Sequence, residues 1–165
     1  LQAAVTETLR VFPNPVCIET GCVRDPNEGT DSTLVIASTL QGRGRFYTFE
    51  LEPSHIEVCR VVCREFADQI NFVQGDAKAN LREFAAEHDV IHFAFLDSAP
   101  DPDQIFAEFR AVEHRFNPGS VLIVDDAVRG NKGGRIKPYL HTHADWETRL
   151  VFAGNGLLVA VKRQS

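Results

Sequence analysis

Short apolar runs recur along this chain, and almost every one stops at an acid. The run at 15–18 ends at Glu19, 45–49 at Glu50, and 70–73 just before Gly75-Asp76; 90–96 ends at Asp97, and 120–124 at Asp125-Asp126. Apolar runs bounded by turn residues read as buried strands, and the segments of helical periodicity between them as helices. Strands alternating with helices predict a parallel sheet covered on both faces. In open parallel sheets ligands bind outside the carboxyl ends of the strands. The acids are therefore expected along one rim, as a site that grips hydroxyl groups or cations.

Residues 1–10 read as a leading helix. The stretch 20–31 is rich in Gly, Pro, Asp and Asn and reads as a loop, after which 32–40 is helical with Asp31 or Ser32 as its cap. Ser54-His55-Ile56-Glu57 has the capping-box pattern, and the helix it opens carries Ile56, Cys59, Cys63 and Phe66 on one stripe. Leu81, Phe84, Ala85 and His88 mark the inner face of the next helix. Asp101-Pro102-Asp103-Gln104 starts another, with Ile105, Phe109, Val112 and Phe116 on its buried side. Asn117-Pro118-Gly119 reads as a turn into the fifth strand. Residues 127–144 are basic, glycine-bearing and then helical. The runs 146–153 and 156–162, joined by Gly154-Asn155, read as a hairpin that adds an antiparallel edge.

At 165 residues one domain with its own core is expected, and a net charge of −6 argues against nucleic acid as the main partner. Arg129, Lys132, Arg135 and Lys137 leave room for a local basic patch. No apolar stretch is long enough to span a bilayer and no secretory signal is visible, so the expected location is cytoplasmic, away from membranes. The chain starts at Leu1 and contains no Met, which leaves open a processed or trimmed start. Cys17, Cys22, Cys59 and Cys63 lack the paired spacing of a zinc site and read as buried small hydrophobes in a reducing compartment.

The ordered motifs resemble those of the class I S-adenosylmethionine-dependent methyltransferases over nearly the whole chain, closest to the small-molecule O-methyltransferases of catechol and macrocin type. Cys17-Ile18-Glu19-Thr20-Gly21 looks like the family's first motif and Phe49-Glu50-Leu51-Glu52-Pro53 like the second. Val73-Gln74-Gly75-Asp76-Ala77 looks like the adenine-binding motif. Phe93–Asp97 and Val121–Asp126 look like the fourth- and fifth-strand motifs. The resemblance implies an α/β, Rossmann-like seven-stranded sheet of order 3-2-1-4-5-7-6, the last strand antiparallel, with helices on both faces. It also implies S-adenosylmethionine as cofactor. One departure stands out: after Gly21 the next glycine is Gly29, as in the small-molecule enzymes whose first motif runs on into a Ser-Thr helix start, here Ser32-Thr33.

On this reading Glu50 accepts both ribose hydroxyls, with Glu52 as its near alternative and Leu51 beside it. Asp76 accepts from the adenine amine and the Ala77 N–H donates to the ring, although Asp76 also suits a helix cap. Glu19, Thr20, Gly21 and Ser32 line the methionine end, and Asp97 contributes to the cofactor site. Asp97, Asp125 and Asp126 repel one another unless a cation sits among them. In the catechol-type enzymes the three matching positions bind magnesium, which makes Mg2+ the expected metal, holding and acidifying the acceptor hydroxyl. That group's lysine base has no match at Ser98-Ala99-Pro100, so Lys132, Lys137, His141 and His143 stand as candidate proton acceptors with Asp97 as a catalytic residue. His92, inside an apolar strand, reads as a satisfied core residue.

The expected activity is methyl transfer to a hydroxyl of a small molecule. The alternatives are a metal-free enzyme acting on an amine or carboxylate, and a cofactor-binding subunit without catalysis. A minimal or missing helical cap before the first strand leaves the acceptor pocket open. A large acceptor or a second copy of the chain, as a homodimer, would cover it. A nicotinamide dehydrogenase fits poorly, because no compact three-glycine loop follows the first strand.

Overall fold

The computed structural model describes residues 1–25 and 31–164. The helices are α1 (Gln2–Val11), α2 (Ser32–Leu40), α3 (Pro53–Val62), α4 (Ala77–Glu87), α5 (Pro102–Val112) and α6 (Gly133–Thr142). The strands are β1 (Val16–Thr20), β2 (Arg45–Glu50), β3 (Ile70–Gln74), β4 (Ile91–Leu96), β5 (Phe116–Val124), β6 (Trp146–Val151) and β7 (Leu157–Lys162). They form one sheet of order β3-β2-β1-β4-β5-β7-β6, in which β7 runs antiparallel between β5 and β6. The expected order and the antiparallel final strand are both present.

Alternation along the central strands feeds two cores. Ile91, Ala94 and Leu96 of β4 pack with Leu81, Ile105, Phe109 and Ile136 of α4, α5 and α6 on one face. Phe93 and Phe95 pack with Val5, Leu9, Ile36 and Cys59 of α1, α2 and α3 on the other. Both faces of the middle strands are therefore dry, which is why these strands read as continuous apolar runs. Each fully buried side chain of this size contributes about 1.5–3 kcal/mol. The four cysteines are free and buried, as their spacing suggests.

Several local expectations are corrected. α3 starts at Pro53 with Glu52 at its N-cap and no side-chain cap, so Ser54 does not form a capping box; proline at the first turn already fixes the entry. Phe66 lies beyond that helix, and His88 is the residue that ends α4 rather than part of its face. Phe116 begins β5 instead of lining α5. Asn117-Pro118-Gly119 is an irregularity inside β5: Ile91 pairs with Phe116 but Phe93 pairs with Val121. α5 starts as expected, with Asp101 accepting from the Asp103 N–H at 2.8 Å, although Gln104 turns to Glu108 instead of back to the cap. Of the loop expected at 20–31, residues 26–30 lie outside the described residues, among them Gly29.

Candidate active site

Strand register aligns the rim. Thr20 pairs with Phe49 on one side and Leu96 on the other, Leu96 pairs with Val124, and Glu50 pairs with Gln74. The next residues are therefore neighbours: Gly21, Glu50, Gly75, Asp97 and Asp125. Backbone bonds extend the ladder past the strand ends, from Gly21 N–H to Phe49 O, Gly75 N–H to Glu50 O, Asp97 N–H to Thr20 O and Asp125 N–H to Leu96 O, at 2.9–3.1 Å. Gly21 is required there: its φ is +81°, and a Cβ would lie 2.7 Å from the Asp97 carbonyl oxygen.

A cavity of about 510 Å³ opens on this rim, lined by Gly21, Glu50, Leu51, Gly75, Asp76 and Ala77 from the β1, β2 and β3 side and by Ser98, Gln104 and Glu108 opposite. The Glu50 carboxylate is buried and held in place. It accepts from the Cys22 N–H at 3.2 Å and the Glu52 N–H at 2.9 Å, and His55 Nδ1 lies 3.3 Å away. Asp76 caps α4, accepting from the Lys78 N–H at 2.9 Å, and its carboxylate also faces the cavity. Leu51 is 61% exposed at the mouth, an apolar side chain with no protein to cover it. The pocket fits an adenosine in size, in its pinned carboxylate and in its uncovered apolar wall.

Glu108 was not foreseen. It is fully buried on α5, accepts from Thr20 Oγ1 at 2.8 Å, Ser98 Oγ at 2.6 Å and Gln104 Nε2 at 2.9 Å, and burial raises its pKa. A glutamate on a helix face gives no sequence signal when its partners come from two strand ends. His55 was missed for the same reason.

The expected methionine-end residues divide. Gly21 and Ser32 reach cavities, whereas Thr20 is buried against Glu108 and Glu19 is wholly enclosed. β1 runs one residue further than Glu19, so this side chain points between sheet and α2 instead of onto the rim. Its carboxyl group accepts from Ser32 Oγ at 2.5 Å, Thr33 Oγ1 at 2.7 Å and Thr48 Oγ1 at 3.0 Å. Burial pushes its pKa up to about 8 against these hydroxyl bonds. Glu19 thus fixes the start of α2, through Ser32 and Thr33, and does not line the cavities.

Asp97, Asp125 and Asp126 converge: one carboxylate oxygen from each lies within 4.8 Å of the others. Hard oxygen ligands at this spacing fit a divalent cation. The Lys132 ammonium, however, already sits among them. It contacts Asp97 Oδ1 directly and lies 3.4 Å from Asp126 Oδ2, with the residue only 5% exposed. Burial raises the Asp97 pKa, and Lys132 opposes that shift. A metal ion would have to share or displace this built-in cation. Asp126 turns the chain at φ +50°.

Of the other candidate bases, Lys137 donates to Ala127 O at 3.2 Å. His141 and His143 lie at the far end of α6, whose first turn is at Lys132; ten residues at about 1.5 Å rise put them roughly 15 Å from the rim. The chain here descends to start β6 beside Phe116, at the opposite edge of the sheet, so neither histidine serves the site. The basic patch also dissolves: Lys132 is internal and Arg135 pairs with Asp103. His92 is satisfied, its Nδ1 accepting from the Val16 N–H at 2.9 Å.

A family model described as a methyltransferase domain matches residues 29–127, more than half of the chain. No curated protein sequence matches. Among solved structures, the O-methyltransferase from Bacillus cereus in complex with SAH is 20% identical with a TM-score of 0.79, over 98% of this chain and 80% of that one. The O-methyltransferase TomG from Streptomyces achromogenes, involved in tomaymycin synthesis and solved with SAM, is 20% identical with a TM-score of 0.76, over 99% and 79%. A cofactor-bound protein from MTB is 22% identical with a TM-score of 0.77, over 99% and 81%.

Proposed function

The chain belongs to the methyltransferase domain family; from that premise we propose that it uses S-adenosylmethionine and methylates a hydroxyl group of a small molecule. The observation that carries this is the unbroken row from Glu50 through Gly21 and Asp97 to Asp125, which runs from a nucleoside-sized cavity to a cluster of three carboxylates. Glu50 accepts from the ribose hydroxyls, Asp76 and the Ala77 N–H read adenine, and Leu51 packs on its face. The methionine part follows Gly21 and Ser32 towards Asp97. The rim thereby aims the methyl carbon at an acceptor oxygen beside Asp97 and Asp125, and the chain contributes mainly orientation.

A divalent cation held by Asp97, Asp125 and Asp126 would supply Lewis acidity that lowers the pKa of the acceptor hydroxyl. The position of Lys132 favours a second reading, in which its ammonium takes that place and transfer proceeds without metal, to a hydroxyl or an amine. Labelled methyl transfer from S-adenosylmethionine to a panel of phenols and amines, with and without a chelator, tests both. Label in the phenols that disappears on chelation and returns with magnesium supports the metal reading. Chelator-resistant transfer supports Lys132. Label in none of the panel, from protein that binds the cofactor, counts against the acceptor assignment.

A further inference from the structure

A second, larger cavity of about 730 Å³ lies beyond the carboxylates, and a recess of about 230 Å³ joins it to the rim. The recess shares Arg24 with the nucleoside cavity and Asp31, Ser32, Asp97 and Asp125 with the larger one. The three spaces form one trough. The walls of the outer cavity are largely apolar, with Leu1, Leu34, Val35, Phe95 and Leu157 among them, and its ionisable side chains among the described residues are all acids: Asp31, Asp97 and Asp125. Among the described residues, Arg24 and Lys132 line the recess but not the outer cavity, and both are engaged. Arg24 donates to Ser98 O at 2.6 Å, and Lys132 pairs with Asp97 and Asp126.

Among the described residues, Asp31 is the acid of the recess and outer cavity that lies outside the three-carboxylate cluster. It stands at the N-cap of α2, yet its side chain accepts no cap hydrogen bond, and it has no ion pair among the described residues. A cation bound in the cluster leaves it charged. A carboxylate with no partner among the described residues, on the wall of an apolar cavity, selects by charge.

Resting on the methyltransferase reading, we propose that the outer cavity is the acceptor site and that it takes an apolar molecule that is cationic or neutral and rejects anionic ones, with Asp31 reading the positive or hydrogen-donating group. Acceptors bearing phosphate, carboxylate or a coenzyme A tail are excluded by the same charge.

Three phenols of matched shape test this by calorimetry with and without S-adenosylhomocysteine: tyramine (cation), para-ethylphenol (neutral) and para-hydroxyphenylpropanoate (anion). Tyramine is expected to bind about tenfold more tightly than the anion, a difference of about 1.4 kcal/mol. Asp31→Asn, which keeps a residue suited to an N-cap, is expected to reduce that preference by about fivefold with S-adenosylhomocysteine affinity within about twofold. Leu34→Arg, at a part-exposed helix position, is expected to raise affinity for the anion by about fivefold. Equal binding of the three phenols, or binding of none, overturns the proposal. So does an Asp31→Asn variant that loses S-adenosylhomocysteine while its ranking of phenols is unchanged, which would assign Asp31 to the cofactor's amino group. Failure of S-adenosylhomocysteine alone refutes the cofactor reading, while the phenol ranking still decides the cavity.

Discussion

Replacing Glu19 with Gln isolates the electrostatics of the buried carboxyl group beneath the rim. The shape is nearly kept: the amide oxygen can accept from Thr33 and Thr48, and the amide NH2 can donate to Ser32 Oγ, a hydroxyl that also accepts. What changes is ionisation. In the folded chain burial pushes the Glu19 pKa up to about 8, from 4.5 for a free glutamate. Between these values the folded state holds a proton that the unfolded state has lost. The stability that Glu19 contributes is therefore fully present below about pH 4.5 and is lost as pH rises towards 8, at about 1.4 kcal/mol per pH unit. From about pH 5 to about pH 7.5 the wild type should lose roughly 3 kcal/mol relative to Glu19→Gln. Urea unfolding at a series of pH values, followed by the fluorescence of Trp146, the one tryptophan and a buried one, measures the difference. Glu108 and Asp97 also have raised values, but they are common to both proteins and cancel. Parallel pH profiles would refute the reasoning and mean that the three hydroxyls hold Glu19 as an anion.

Gly21→Ala forces a side chain to within 2.7 Å of the Asp97 carbonyl at a left-handed φ, and should cost at least about 2 kcal/mol in urea unfolding; a neutral result would mean that β1 and β4 can part freely. Glu108→Ala leaves the side chains of Thr20, Ser98 and Gln104 without their acceptor and should cost about 3 kcal/mol, whereas Glu108→Gln should recover most of it. Equal melting temperatures for the two variants would contradict that network. Lys132→Met removes the cation from the carboxylate cluster and should raise magnesium affinity by about tenfold in calorimetry; an unchanged affinity would show that Lys132 does not compete for the site.

Most of the fold was legible because each buried strand is written as an apolar run and each rim residue as the polar residue that stops it. Glu50, Asp76, Asp97 and Asp125 were found by that rule. Glu19 was misplaced by the same rule, since β1 continues through Thr20, and one residue in a strand reverses the face. His141 and His143 follow the fifth strand in sequence and have suitable chemistry, but the length of α6 takes them to the opposite end of the sheet. Glu108, His55 and the insertion of Lys132 among the carboxylates depend on contacts between residues far apart in sequence, which no local pattern records. Ser54 failed as a cap because Pro53 had already started its helix.

Titration of S-adenosylhomocysteine into the wild type and into Glu50→Ala tests the account most directly. The wild type should bind at a single site with micromolar affinity, and loss of the carboxylate that accepts from the ribose should weaken binding by about a hundredfold, near 2.7 kcal/mol. A folded wild type that does not bind, or equal affinity in the two proteins, would contradict it.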